Sequence, residues 1–315
     1  MSGKSKIEWT EATWNPFVGC THVSAGCDNC YAASLASGRL AHIPTYTGLA
    51  EGGKFNGTVR LLPERLDWPL RKTKPLLIFV NSMSDLFHEG VPDEYLIRVF
   101  AVMAAASRHT FQVLTKRHGR MQSLLSRSDF RASVWDHWRG LTRGADDTWA
   151  WPLRNVWLGV SVENQRWAEV RIPKLLDTPA AVRFLSCEPL LGPVDLAVSS
   201  FIGGDWLDGL GWVIVGGESG PKARPMHPQW ARALRDQCQA VGVPFLFKQW
   251  GEWVEGEHAR DLIGDDGVCR LKLGVTWRAP FDDGTRMARV GKKAAGRELD
   301  GRTWDEYPEQ ATADA

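Results

Sequence analysis

The chain has 315 residues, 43% of them apolar and 24% charged, and a formal net charge of +1 at pH 7. Such a composition belongs to a folded globular protein with a sizeable core, and the balanced charge removes the broad positive field that non-specific nucleic-acid binding needs. No apolar run reaches the length of about eighteen residues that a membrane span requires, and the first residues lack the apolar centre of a secretory signal, so a cytoplasmic protein with no membrane partner is expected.

Residues 13–18 read as a first strand running into a loop that holds Cys20, Cys27 and Cys30. A long excursion follows at 33–74. Short apolar runs then recur at 75–80, 110–114, 156–162, 181–186, 211–215 and 243–247, each of strand length and rich in β-branched or aromatic residues. Their near-continuous apolar character suits strands buried on both faces. Between them, 93–107, 164–176 and 228–241 read as helices. In the last, Trp230, Leu234, Cys238 and Val241 recur at three- and four-residue steps. The stretch 120–154, with Gly140, Gly144, Asp146 and Asp147, reads as a surface insertion. After residue 253 the alternation stops. Residues 254–315 read as a small C-terminal appendage, with strand-like pieces at 267–275 and 287–290 and a frayed end at 310–315.

Strands alternating with helices predict βαβ units and a parallel sheet. Each apolar run ends in polar or small residues: Asn81-Ser82-Met83-Ser84-Asp85, Thr115-Lys116-Arg117, Glu163-Asn164, Cys187-Glu188, Gly216-Gly217-Glu218-Ser219 and Lys248-Gln249-Trp250. Parallel α/β folds bind ligands at these carboxyl ends. Because polar ends recur on nearly every strand and not at one switch point, the expected fold is a partly open TIM-type (β/α) barrel over 1–253.

The cysteine loop carries the strongest chemistry. In a reducing compartment clustered thiols read as metal-binding or redox groups, not as a disulfide framework. Three thiolates this close repel one another unless a cation or cluster holds them. Two readings stay open. A zinc site on Cys20, Cys27 and Cys30 either keeps an open position or takes His22 as a fourth ligand. A four-iron cluster normally takes four cysteines, so three would leave one iron free for chemistry.

Weaker signals surround it. Lys116 and Arg117 are placed to meet a carboxylate or phosphate. Gly216 and Gly217 let backbone approach a ligand, but no Gly-Lys-Ser or Gly-Lys-Thr follows to make a phosphate-binding nucleotidase loop. Arg286, Arg289, Lys292, Lys293, Arg297 and Arg302 either lie along a polyanion or face solvent, offset by Asp283, Glu298 and Asp300. No serine-hydrolase, zinc-protease or kinase pattern is present.

The segments Trp14-Asn15-Pro16, Gly26-Cys27-Asp28-Asn29-Cys30-Tyr31-Ala32, Asn81 to Phe87, Gln112 to Arg117, Gly216 to Gly220, Phe247 to Gly251 and Gly291 to Arg297 together resemble a phage-associated family of three-cysteine proteins of uncharacterised function. The Asn-Pro strand entering a glycine–cysteine loop and continuing as Cys30-Tyr31-Ala32 resembles the radical S-adenosylmethionine superfamily, nearest its spore photoproduct lyase-like branch. That resemblance implies a [4Fe–4S] cluster on Cys20, Cys27 and Cys30 whose fourth iron is chelated by S-adenosylmethionine. One electron, from a donor such as flavodoxin or ferredoxin, would cleave the sulfonium to a 5′-deoxyadenosyl radical that abstracts hydrogen from substrate. It further implies Ser82 and Asp85 at the methionine amine. By their positions at strand ends, Glu163 reads as a ribose contact and Gly216, Gly217 and Glu218 as cofactor contacts. Lys116 would act on the substrate, and Cys187 would serve as a hydrogen donor facing the cup. The substrate is unidentified; a nucleic-acid base or nucleotide is expected, with or without a partner protein to deliver it.

Overall fold

A computed structural model of the chain describes residues 3–143, 149–197, 205–256, 259 and 275–309. Gly144, Asp146, Asp147, Cys269, most of the 267–275 piece and the 310–315 end lie outside these. The chain divides into two compact units: Met1–Ser161 with Val170–Phe184 and Pro308–Ala315, and Val162–Glu169 with Leu185–Tyr307. The chain thus passes between the units more than once, one passage falling within the strand Val182–Cys187.

In the first unit, strands β1 (Gly3–Lys4), β2 (Ala12–Trp14), β3 (Leu77–Val80), β4 (Thr110–Thr115) and β5 (Val156–Ser161) lie side by side. β1 is antiparallel to β2, and the remaining pairs are parallel. Trp14 stands opposite Val80, Val80 opposite Val113, and Thr115 opposite Val160. Every residue of β5 is buried, as a strand covered on both faces must be. The indole of Trp14 packs 5.8 Å from the Phe111 ring and donates through Nε1 to the Arg65 carbonyl at 2.8 Å, so its one polar atom is satisfied.

The first strand is shorter than residues 13–18. Pro16 has no N–H to give a ladder, so β2 stops at Trp14, and Phe17–Val18 instead pairs antiparallel with Arg60–Leu61. The 33–74 excursion is ordered. After helix α1 (Tyr31–Ser37), Leu40, Tyr46, Leu49 and Leu62 form a small core with Val18, Ala32, Ala36 and Met83.

Helix α2 (Asp93–Ala105) begins with two acids, Asp93 and Glu94, which suit the positive end of its dipole. The 120–154 stretch holds most of α3 (His118–Leu125) and all of α4 (Ser128–Thr142), and α4 packs on α2. Phe130, Val134 and Trp138, spaced four apart, are its buried stripe.

Helix α5 (Gln165–Leu176) and strand β6 (Val182–Cys187) are shared between the units. In the second unit, β7 (Trp212–Gly216) pairs in parallel with β8 (Phe245–Gln249), and α6 (Pro228–Val241) packs on both. His227 caps α6 by accepting from the Gln229 amide at Nδ1, 3.1 Å, and Pro228 fills the first position. Residues past 253 form a three-stranded antiparallel sheet of β9 (Trp253–Glu255), β10 (Thr276–Arg278) and β11 (Met287–Arg289). The structure is thus mixed α/β with a parallel-dominated central sheet. Among the described residues no strand pairing closes a barrel, and no helix is long and apolar enough to cross a membrane.

The turn after β7 explains the paired glycines. Gly217 donates to the Gln249 carbonyl at 2.9 Å, and a Cβ on Gly217 would sit 1.9 Å from the Trp250 carbonyl oxygen. At Gly216 the same atom would make contacts of 3.4 Å and beyond, to Glu188 and Lys248. Gly217→Ala is therefore expected to cost about 1–3 kcal/mol, and Gly216→Ala under about 0.5 kcal/mol. Denaturant unfolding of the two variants checks this, and equal losses would refute the backbone-crossing explanation.

Candidate metal centre at the cysteine loop

The loop is built by clamping the chain after β2 onto the turn after β3. Asn15, buried beyond the end of β2, donates through Nδ2 to Ser82 Oγ at 3.1 Å and accepts the Met83 amide at Oδ1, 2.9 Å. Gly19 donates to the Met83 carbonyl at 3.2 Å. It has φ +96°, and a Cβ there would lie 2.0 Å from the Thr58 carbonyl oxygen, so no other residue fits. Cys20 follows at once. A 3₁₀ turn over Ala25–Cys27 then leads to Cys30, which caps α1, and Tyr31 of that helix donates to the Ser82 carbonyl at 2.6 Å. The same turn therefore anchors both ends of the loop.

All three thiols are half-buried. Burial first, and the Asp85 carboxylate second, push the Cys20 thiol up to about 12, against an opposing pull from Arg117. Burial likewise raises Cys30, while the amides of Ala33 and Ala32 pull it down. Cys27 adds a lesser upward push on both Cys20 and Cys30. Among the described residues, however, no three His, Cys, Asp or Glu side chains come close enough to hold one metal ion. A zinc ion would need its sulfurs at about 2.3 Å from a common point, and His22 is turned to Asp28 at 2.8 Å on the exposed side. In a four-iron cluster each cysteine takes its own iron, so three cysteines are also a donor set for that group.

Behind Cys20 stands an ionic network. Asp85 Oδ1 accepts from Thr115 Oγ1 at 2.6 Å and from the Phe87 amide at 3.1 Å, and Oδ2 accepts from the Lys116 amide at 2.9 Å. Arg117 Nη1 lies 3.2 Å from Asp85 Oδ2 and 3.6 Å from Cys20 Sγ, and its Nε donates to Glu89 at 3.0 Å. Lys116 Nζ donates to Ser161 Oγ at 3.0 Å.

Cys20, Cys27, Cys30, Ser82, Asp85 and Lys116 thus lie together in the first unit. Ser82 and Asp85 are engaged by the protein itself, Ser82 with Asn15 and Asp85 with four donors. Glu163, Cys187, Gly216, Gly217 and Glu218 belong to the second unit. Glu163 is fully buried. Glu218 is gripped by Arg224, whose Nε and Nη2 reach its two oxygens at 2.9 and 2.6 Å. The expectation that Cys187 faces an open cup is corrected: its side chain is fully enclosed, and burial, reinforced by neighbouring Cys238 on α6 and by Glu163, drives its thiol far up. Sequence reasoning missed Asn15, Thr21, His88, Glu89 and Arg224. Only Asn15 had a signal, in the Asn-Pro that must interrupt a strand.

The C-terminal cations are largely spoken for. Arg297 pairs with Asp305, Arg302 lies 3.5 Å from Glu306 and Arg289 3.9 Å from Glu252. Arg286 stacks over Trp277 with its guanidinium carbon 5.3 Å from the ring centre.

No protein of curated function matches the chain. Among solved structures it is similar to a double mutant of spore photoproduct lyase with bound AdoMet and dinucleoside spore photoproduct, at 10% identity and a TM-score of 0.39, covering 92% of this chain and 71% of that one. Spore photoproduct lyase complexed with dinucleoside spore photoproduct is similar at 12% identity and a TM-score of 0.39, over 93% and 72% of the two chains. A family model described as protein of unknown function (DUF5131) matches residues 4–308, and the chain belongs to that family.

Proposed function

We propose that the protein is a radical S-adenosylmethionine-type iron–sulfur enzyme in which Cys20, Cys27 and Cys30 hold a [4Fe–4S] cluster. One observation carries the reading: three half-buried thiols sit in one loop whose two ends are clamped to the same turn, and His22, the histidine within that loop, is turned to Asp28. When bound, the cluster with S-adenosylmethionine would supply a carbon-centred radical for hydrogen abstraction.

The chain's own residues do the rest. Gly19 and the 81–84 turn fix where Cys20 starts, and Tyr31 ties the far end of the loop to the same turn. Lys116 carries a cation at the end of β4 for a carboxylate or phosphate of the substrate. Asp85, with its acceptor positions filled by protein donors, acts on a ligand only through those donors; Ser82 offers its hydroxyl beside the loop. In the second unit, Glu163 is fully buried, Gly217 serves the loop crossing and Glu218 holds Arg224. The substrate class, a nucleic-acid base or nucleotide, rests on the motif resemblance.

Anaerobic purification tests the metal directly. The full chain is expected to be brown with about four irons, and Cys20→Ala, Cys27→Ala and Cys30→Ala each to lose most of that iron. Colourless wild-type protein with one zinc per chain would sink the proposal.

Reduced, iron-loaded protein given S-adenosylmethionine is expected to release 5′-deoxyadenosine, measured chromatographically. Cys187→Ala should retain full iron and the wild-type release rate, since that thiol is enclosed. A loss of release with iron intact would restore Cys187 to a chemical role.

A further inference from the structure

Arg117 ends β4 and precedes α3, yet its side chain turns back to the cysteine loop. It is nine-tenths enclosed and reaches five groups there. Nη1 donates to Cys20 Sγ (3.6 Å) and faces Asp85 Oδ2 (3.2 Å). Nη2 donates to Thr21 Oγ1 (2.7 Å) and lies 3.5 Å from the Thr21 carbonyl, and Nε donates to Glu89 Oε2 (3.0 Å).

Thr21 is held from the other side as well. His88 accepts the Gly90 amide at Nδ1, 3.0 Å, which places its proton on Nε2 and directs it at Thr21 Oγ1, 2.6 Å away. Thr21 Oγ1 in turn donates to Glu89 Oε1 at 3.3 Å. The residue after Cys20 is thus locked in place, and a rigid positive fork is aimed at the Cys20 sulfur. A buried carboxylate stands directly behind that fork.

We infer that Arg117 and Asp85 form an opposed pair that sets the reduction potential of the metal centre through Cys20, with Arg117 as a positioning residue that never touches substrate. This rests on the proposed iron–sulfur reading. A reduced centre carries one more negative charge than the oxidised one. A cation with a hydrogen bond to a ligand sulfur favours the reduced form, and a nearby carboxylate opposes it. Removing the cation leaves Asp85 uncompensated, so the two substitutions must act in opposite directions.

The test is the midpoint potential of the full, iron-loaded chain, followed by electron paramagnetic resonance in a mediated titration. Arg117→Gln is expected to be harder to reduce by at least tenfold in the reduced-to-oxidised ratio at fixed potential, about 59 mV for a one-electron couple. Asp85→Asn is expected to be easier to reduce, and Arg117→Lys to fall between Arg117→Gln and wild type. An Arg117→Gln midpoint equal to wild type at equal iron content overturns the inference. If Arg117→Gln does not hold iron, Asp85→Asn decides alone: an upward shift supports the inference, and no shift or a downward one overturns it. Wild type without a cluster is a separate failure, because it removes the iron–sulfur reading before either variant is measured.

Discussion

The arrangement depends on how the chain crosses from β2 to the loop without a normal strand ladder. Pro16 cannot donate, so between Trp14 and Gly19 the pairing with the turn after β3 is completed by side chains. Asn81 does this from a left-handed backbone conformation, φ 64°, which asparagine tolerates better than most residues. Its amide N–H donates to the Trp14 carbonyl at 2.8 Å, its side chain donates to Ser84 Oγ and the Phe17 carbonyl, and Ser84 Oγ donates to Phe17 as well. Asn15 works in the opposite direction. Two short amides, one on each segment, replace a ladder that proline forbids, and Gly19 then passes against Thr58 where nothing larger fits. Everything said of Cys20 follows from that junction.

Much of the fold was legible because it is local. The apolar runs became strands within one or two residues, and 228–241 became a helix with the same ends, since burial on both faces and a 3.6-residue period are written directly into residue type. The helix within 120–154 was not read from the sequence although Phe130, Val134 and Trp138 carry helical spacing; Gly140 and the acidic tip drew attention away from it. Barrel closure was not legible, because it depends on which strand edges meet and not on any one strand's composition. The three cysteines stood out through spacing alone. Their supporting network did not: His88, Glu89 and Arg117 reach Cys20 and Thr21 across separations of nearly seventy to nearly one hundred residues. The Gly216-Gly217 pair shows the opposite error, since a motif read as ligand-binding is answered, at Gly217, by a backbone crossing.

The electrostatics of the loop follow from that burial. A half-buried thiol is disfavoured as a thiolate, and the Asp85 carboxylate disfavours it further, which is why Cys20 rises although Arg117 pulls the other way. Arg117 and Lys116 bring positive charge to the same place, Lys116 pulling Cys30 down and Arg117 pulling Cys20 down. Asp85 and Glu89 pair with Arg117 in that partly dry setting, and the Lys116 ammonium donates to Ser161. Bound metal would supply the remaining positive charge and displace the thiol protons. A loop designed only to hold itself together would gain nothing from burying three thiols beside a carboxylate.

Charge elsewhere argues for the loop and against the C-terminal segment as the seat of function. A surface that grips a polyanion needs cations free to trade water and counterions for phosphate. Arg232 instead bridges Glu255 and Asp300, Arg235 joins the same Asp300, and Arg297 and Arg302 answer Asp305 and Glu306. The Arg232 and Arg235 pairs tie α6 to the appendage and the Arg297 and Arg302 pairs lie within it, at an energetic return that is small for exposed pairs. Breaking them to receive a nucleic acid would cost about what the new contacts give. A net charge of +1 agrees with a surface whose cations are answered by carboxylates.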